Sequence, residues 1–278
     1  MGRIGIMQGR LLPPLGNRIQ GFPARAWADE FDLAAAVTLD AIEWIYEVSG
    51  AADNPVGTPA GVERLRALAA DRGVGVWSLC ADYFMDRPLL RVSESDRREG
   101  KSVLRWLVGQ CAAAGMERIV LPFVDVSRIA SGEDARVAAE CLRSVLHELE
   151  RTGVEIHLET DLPPYEFAGL LAAIDHPLVR ANYDSGNSAS LGYDPRAEFA
   201  AYGEFVGSIH VKDRVRGGGT VPLGQGDVDF DALFAEVRRV GYCGDFVLQV
   251  ARGSPGEEVE WARHNLEFLR RYLDPLGV

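Results

Sequence analysis

Short apolar runs alternate along this 278-residue chain with stretches whose apolar residues recur at helical spacing. No other feature limits the fold as much, because strands that are each followed by a helix run parallel and need both faces covered. Strand patterns fall at 3–7, 40–45, 74–80, 118–123, 154–159, 179–184, 206–212 and 245–250. Helical patterns fall at 25–37, 59–72, 93–114, 134–151, 164–174, 195–202, 229–240 and 255–272. Pro59 opens one of these helices and Gly73 closes it, while Ser93 heads a longer one that ends at Gly115. The loops between are too short for another domain, so the pattern predicts one (β/α)8 barrel spanning 1–278. An open doubly wound sheet would be favoured by Gly-x-Gly-x-x-Gly after a strand, and none occurs.

The last four strand patterns share a second property. They read Val154-Glu-Ile-His-Leu-Glu159, Val179-Arg-Ala-Asn-Tyr-Asp184, Val206-Gly-Ser-Ile-His210 and Asp245-Phe-Val-Leu-Gln249, each ending on a residue able to bind a divalent metal. A single acid at a strand end is more often a helix cap or a solvated loop residue. Four in register, at the end of the barrel where enzymes of this fold place their sites, form a mixed oxygen and nitrogen ligand set. Glu159, Asp184, His210 and Gln249 would suit Mn, Mg, Co or Zn. The pleat then turns His157, Asn182 and Ser208 inward beneath the first three. Barrel interiors are normally Val, Ile and Leu, so these polar residues need partners. They are expected either to orient the ligands through hydrogen bonds or to form a structural network of no catalytic effect.

Composition narrows the partners. A formal net charge of −12 repels a nucleic-acid backbone, and no apolar run reaches the roughly 18 residues of a membrane span. The opening Met-Gly-Arg-Ile-Gly-Ile-Met reads as a strand and lacks the pattern of a cleaved signal. Cys80, Cys111, Cys141 and Cys243 have no CxxC spacing and read as buried thiols in a reducing cytoplasm. A cytoplasmic protein handling a small molecule is the expectation, with a homo-oligomer left open. Gln8 and Arg10 sit at the exit of the first strand. Lys212, Arg214, Arg216 and Gly217-Gly-Gly219 follow the seventh and Arg252 the eighth, where many barrels bind phosphate. Arg252 is the first choice for a phosphate or hydroxyl contact, although a Gly run is more often a plain flexible loop. Trp44, Tyr83, Phe84 and Phe123 stand near strand exits and would wall a sugar's apolar face or pack the core.

Several stretches also carry a family likeness. Ile4-Gly-Ile-Met-Gln-Gly-Arg10, Glu159-Thr-Asp, Tyr183-Asp-Ser-Gly-Asn187, Ser208-Ile-His-Val-Lys-Asp213 and Val221-Pro-Leu-Gly-Gln-Gly-Asp-Val-Asp-Phe230 resemble the xylose-isomerase-like sugar (phosphate) isomerase/epimerase superfamily. The resemblance spans nearly the whole chain and implies a metal held by Glu, Asp, His and Glu at the ends of strands five to eight. Those positions are Glu159, Asp184, His210 and, with a departure, Gln249. In epimerases of this kind two metal-bound glutamates face opposite sides of the substrate. An amide at 249 coordinates through its carbonyl but cannot take a proton.

The resulting expectation is a metal-dependent isomerase or epimerase of a sugar, sugar phosphate or polyol ketone. Glu159 is the base, with Lys212 as the next candidate, and Asp184 and His210 hold the metal. Arg10, Asn187 and Lys212 contact substrate, and Asp213 orients Lys212 or His210. Two alternatives compete: a dehydratase of a cyclic polyol ketone, which uses the same enolate, and a metal-free binding protein that has lost catalysis. An apurinic-site endonuclease needs a cluster of zinc-binding histidines, and of the five here only His157 and His210 fall on strand patterns.

Overall fold

Runs rich in Ile, Val and Leu become strands wherever both of their faces find cover, and eight do so here. The computed structural model describes residues 2–16 and 18–273. Its barrel strands are β1 (Ile4–Met7), β2 (Ala41–Ile45), β3 (Ser78–Cys80), β4 (Arg118–Phe123), β5 (Glu155–Thr160), β6 (Val179–Asp184), β7 (Val206–Val211) and β8 (Asp245–Leu248). Each pairs in parallel with its neighbours in sequence, and β1 closes the ring by pairing Ile4 with Phe246 as well as Gly5 with Ala41. Helices cover the outside, including Pro59–Arg72, Glu94–Ala114, Pro164–Ile174, Phe230–Arg239 and Glu258–Leu273. Among the described residues no helix is long and apolar enough to cross a membrane.

The departures from expectation have local causes. β3 is shorter than 74–80 because Trp77 folds against Gly75, where a Cβ would lie 2.2 Å from the indole nitrogen. Gly75 therefore keeps only an isolated bridge to Ala41. The stretch 134–151 is two helices, Gly132–Arg143 and Leu146–Thr152, separated where the Ser144 hydroxyl donates to the Cys141 carbonyl (2.6 Å). The first helix begins only at Glu30, after a run of turns. Tyr83–Asp86 and Ser185–Leu191 are short helices, and Asp213–Arg214 pairs with Thr220–Val221 as a small hairpin. Cys80, Cys111 and Cys141 are buried free thiols, but Cys243 is exposed.

The helix Ser185–Leu191 matters for the site. Its Ser-Gly-Asn-Ser start has weak helix propensity, and what holds it is Asp184, whose Oδ1 accepts from the Asn187 backbone N–H at 2.8 Å. The last residue of β6 is thus also a helix cap. That double duty fixes its side chain and leaves Oδ2 facing the barrel mouth.

Candidate metal and proton-transfer site

Register sets the site. Asp184 lies directly opposite His210 across the β6–β7 ladder, with Asn182 opposite Ser208 one pleat below. On β5, Glu159 is held by two amides, Asn182 Nδ2 to Oε2 at 3.0 Å and Asn187 Nδ2 to Oε1 at 2.7 Å. The ligand atoms of Glu159, Asp184 and His210 lie within 4.8 Å of one another, and all three residues are buried.

His210 is oriented by a residue that sequence reasoning passed over. Its Nε2–H donates to Glu43 Oε1 at 2.6 Å, with both side chains wholly buried. Glu43 stands in β2 between Ile42 and Trp44, at the inward parity of the pleat; an acid flanked by apolar residues in a buried strand was the available signal. Nδ1 of His210 points at the carboxylates, 3.2 Å from Glu159 Oε2 and 4.0 Å from Asp184 Oδ2, but makes no hydrogen bond of proper geometry. Burial would lower the pKa of this imidazole, yet Glu43 and Glu159 override it and lift it to about 10. The site therefore draws positive charge toward Nδ1. An imidazole lone pair flanked by two carboxylates, its other nitrogen fixed by a third, fits a divalent cation.

Gln249 reaches the group through Lys212. The Lys212 ammonium donates to Asp184 Oδ2 (3.2 Å), Asn187 Oδ1 (3.2 Å) and Gln249 Oε1 (3.0 Å). Two of the four expected ligands thus share one lysine. Arg214, which reasoning from sequence had assigned only to an anion loop, donates to the same Asn187 oxygen at 2.9 Å. Asn187 thereby joins Glu159 on one side to two cations on the other.

His157, Asn182 and Ser208 form a continuous chain below the acids. His157 Nδ1 meets Ser208 Oγ at 2.7 Å, Ser208 donates to Asn182 Oδ1 at 2.6 Å, and Asn182 donates to Glu159. At the lower end His157 Nε2 contacts Glu155 Oε2 at 2.7 Å. His157, Asn182 and Ser208 are therefore satisfied polar groups, and Asn182 holds the Glu159 carboxylate.

Three expected substrate contacts lie elsewhere. Arg252 donates to the carbonyls of Gly9 (2.6 Å), Leu12 (2.7 Å) and Ile19 (3.1 Å). Arg10 donates to Val250 O at 2.9 Å and also to Ile19 O and Gln20. Both guanidinium groups pin the irregular segment after β1, whose buried carbonyls need donors. The same segment is held from below by Glu30, which accepts from the N–H of Gly9 (2.6 Å) and Leu11 (3.4 Å). Burial outweighs those bonds and raises the Glu30 carboxyl to about 7. Asp213 does not orient Lys212 or His210; its carboxylate accepts from the N–H groups of Gly224 (2.8 Å), Gly226 (3.0 Å) and Val228 (3.2 Å). A Cβ on Gly226 would sit 2.2 Å from Asp213 Oδ1, so the Gly-Gln-Gly turn and this acid depend on each other. The Gly217 to Gly219 loop is likewise occupied: Gly217 N–H donates to Ser190 O and Gly218 O accepts from Arg214.

A cleft of about 290 Å³ opens over these residues, bordered by Glu159, Asn187, Lys212 and Gln249 together with Gln20 and Asp82. The expected aromatic wall does not form: Trp44, Phe84 and Phe123 are core residues and Tyr83 borders a separate hollow. A larger groove, about 680 Å³, lies between the helices Pro59–Arg72 and Glu94–Ala114, but among the described residues no cluster of acids or bases converges on it.

Comparison with known proteins agrees with the fold. The model of the xylose isomerase-like TIM barrel family matches residues 31–272. L-ribulose-5-phosphate 3-epimerase UlaE of Shigella flexneri serotype 5b (strain 8401) is 26% identical over 247 residues, covering 85% of this chain and 87% of that protein. The solved structure of an L-ribulose 3-epimerase has a TM-score of 0.79 at 16% identity, covering 100% of this chain and 96% of its own. That of the IOLI protein with a bound zinc atom has a TM-score of 0.78 at 15% identity, covering 97% and 99%. At such identities the structural likeness speaks to the fold.

Proposed function

Given that the chain belongs to the xylose isomerase-like TIM barrel family, we propose that it is an isomerase or epimerase of a ketose or ketose phosphate. The observation that carries this reading is the meeting of Glu159, Asp184 and His210 at the barrel mouth, with His210 Nδ1 turned toward the two acids. The relatives support the class of reaction, being L-ribulose-5-phosphate 3-epimerases. Glu159, Asp184 and His210 would hold a divalent ion, Mn, Mg, Co or Zn, and Gln249 offers a carbonyl oxygen beside them. When bound, that ion supplies a Lewis acid that polarises a carbonyl and its neighbouring hydroxyl.

The proton is moved by the chain's own groups. Glu159 takes it from the carbon next to the carbonyl, leaving an enediolate. Asn182 and Asn187 keep the carboxylate aimed, since each donates to one of its oxygens. Lys212 and Arg214, which meet at the Asn187 oxygen, place positive charge where enediolate oxygens gain negative charge. Arg252 spends its Nε and Nη1 donors on loop carbonyls, so a phosphate, if the substrate carries one, is met first by other groups.

The test is to incubate the metal-loaded protein with a panel of ketoses, their phosphates and inososes in D₂O, following mass and deuterium by NMR. Solvent deuterium entering beside the carbonyl, without loss of water, is the expected result. Loss of water would instead identify a dehydratase. Protein that takes up no metal on loading and binds sugar without exchange or turnover would identify a binding protein.

A further inference from the structure

We infer that Asp82 is the second proton-handling residue of this site, acting on the substrate from the side opposite Glu159 in place of an acid at position 249. The inference rests on the enediolate reading above. A ladder of hydrogen bonds that all run one way carries it. Lys212 Nζ donates to Gln249 Oε1 (3.0 Å), Gln249 Nε2 donates to Gln20 Oε1 (3.2 Å), and Gln20 Nε2 donates to Asp82 Oδ2 (2.7 Å). An ammonium can only donate and a carboxylate can only accept, so each amide between them has one permitted orientation. A glutamate at 249 would set a carboxylate against Gln20 Oε1. Gln20 could turn only by presenting that oxygen to Asp82. The amide at 249 and the acid at 82 are therefore two halves of one arrangement.

Position agrees with this. Asp82 follows β3 at the barrel mouth, is partly open to the cleft, and borders it together with Glu159. Glu159 is tethered from the β6 side by Asn182 and Asn187, whereas Asp82 is tethered through Gln20 to the β1 loop and to β8. The other acids bordering the cleft are less suitable. Glu47 is paired with Arg18 and accepts from the Phe22 N–H, while Asp86 and Asp125 are solvent-exposed.

Charge agrees as well. Around Asp82 stand Cys80 on its own strand, Gln20, Arg10 and Arg18 from the β1 loop, Glu47 after β2, Glu159 on β5, and Asp86. Burial is the largest influence and Glu47 and Glu159 add to it, outweighing the bonds from Gln20 and Cys80, so that the carboxyl rises to about 6. An acid in that range gives and takes protons near neutral pH.

The step balances without a co-reactant. Glu159 takes the proton from one face of the carbon, and the C–H pair of electrons enters the enediolate. Asp82, protonated on Oδ1 while Oδ2 keeps accepting from Gln20, gives that proton to the other face and is left as the carboxylate. Solvent then removes the proton from Glu159 and returns one to Asp82.

The test uses the metal-loaded protein and the ketose on which it incorporates deuterium. Asp82→Asn, checked for an unchanged melting profile, is expected to lower net inversion by about 10²-fold or more, the loss typical of a missing general acid. Solvent deuterium should still enter through Glu159, with configuration retained. Inversion and exchange falling together, or inversion unchanged, overturns the role of Asp82 alone. Absence of exchange in the unsubstituted protein on every sugar removes the enediolate reading and this inference with it. A readout independent of turnover and of any variant is carbon-detected NMR of the Asp82 carboxyl in the metal-free protein. A midpoint near 6 is expected, and an ordinary Asp midpoint, about 3.9, overturns the assignment.

Discussion

The two sides of the barrel mouth use similar residues for different ends. On the β5–β7 side polar side chains meet one another, as Glu159 meets Asn182 and Asn187, Asp184 meets Lys212, and His210 approaches Glu159. On the β1–β8 side the charged ones mostly meet backbone, with Arg252 and Glu30 committed to the segment after β1 and Arg10 to the carbonyls of Ile19 and, after β8, Val250. The cause lies in the segment that leaves each strand. β6 runs straight into a helix capped by Asp184, so its end exposes few backbone groups. β1 runs into a long irregular segment before the helix at Glu30, and its buried carbonyls and N–H groups must be satisfied by whatever polar side chains are near. A charged residue at a strand exit is thus free for chemistry only when the loop beside it does not claim it.

That contrast can be broken at three places. The largest effect is expected at Glu159→Gln, which should lower turnover by roughly 10²–10⁴-fold, as for loss of a general base, while an amide oxygen keeps most of the metal affinity. Calorimetric metal titration beside single-turnover kinetics checks this. Near-native turnover with metal retained would move the base to another residue, Lys212 first. On the other side, Arg252→Ala should destabilise the fold by about 1.5–3 kcal/mol through lost charge-assisted bonds. It should weaken phosphorylated and unphosphorylated sugars alike. Denaturant unfolding together with paired binding measurements tests both halves, and a selective loss for the phosphate ester would return Arg252 to the site. The smallest effect is expected at Glu43→Gln, which removes the charge that orients His210 and should weaken metal binding by about 10–100-fold with little change in fold. Unchanged affinity would mean that the buried Glu43–His210 pair serves packing alone.

Much of this was legible in the sequence. The parallel barrel followed from alternation, and the register of β6 on β7 set Asp184 beside His210 and Asn182 beside Ser208, as the pleat predicts. Motifs at strand ends are legible because backbone geometry, which is local, decides where such residues point. Glu43 was readable in principle from the same parity but was masked by its apolar neighbours. Gln20 carried no signal at all, lying in a segment with neither strand nor helix pattern. Asp213 was misread because a carboxylate next to Lys212 in sequence turned to three N–H groups of the Gly-Gln-Gly turn.

By itself the sequence determined the alternation of strands and helices, the residues standing at each strand end, and the absence of an acid at position 249. Tertiary structure alone decided which donor meets which acceptor across the closed ring. Arg10 finds its carbonyl on Val250, Lys212 takes Gln249, and Gln249 takes Gln20, partners separated by as many as 240 positions. Local propensity carries no information about such pairs. Closure of the sheet brings them within reach, and the cost of leaving a buried polar group unpaired then selects among the partners that are there.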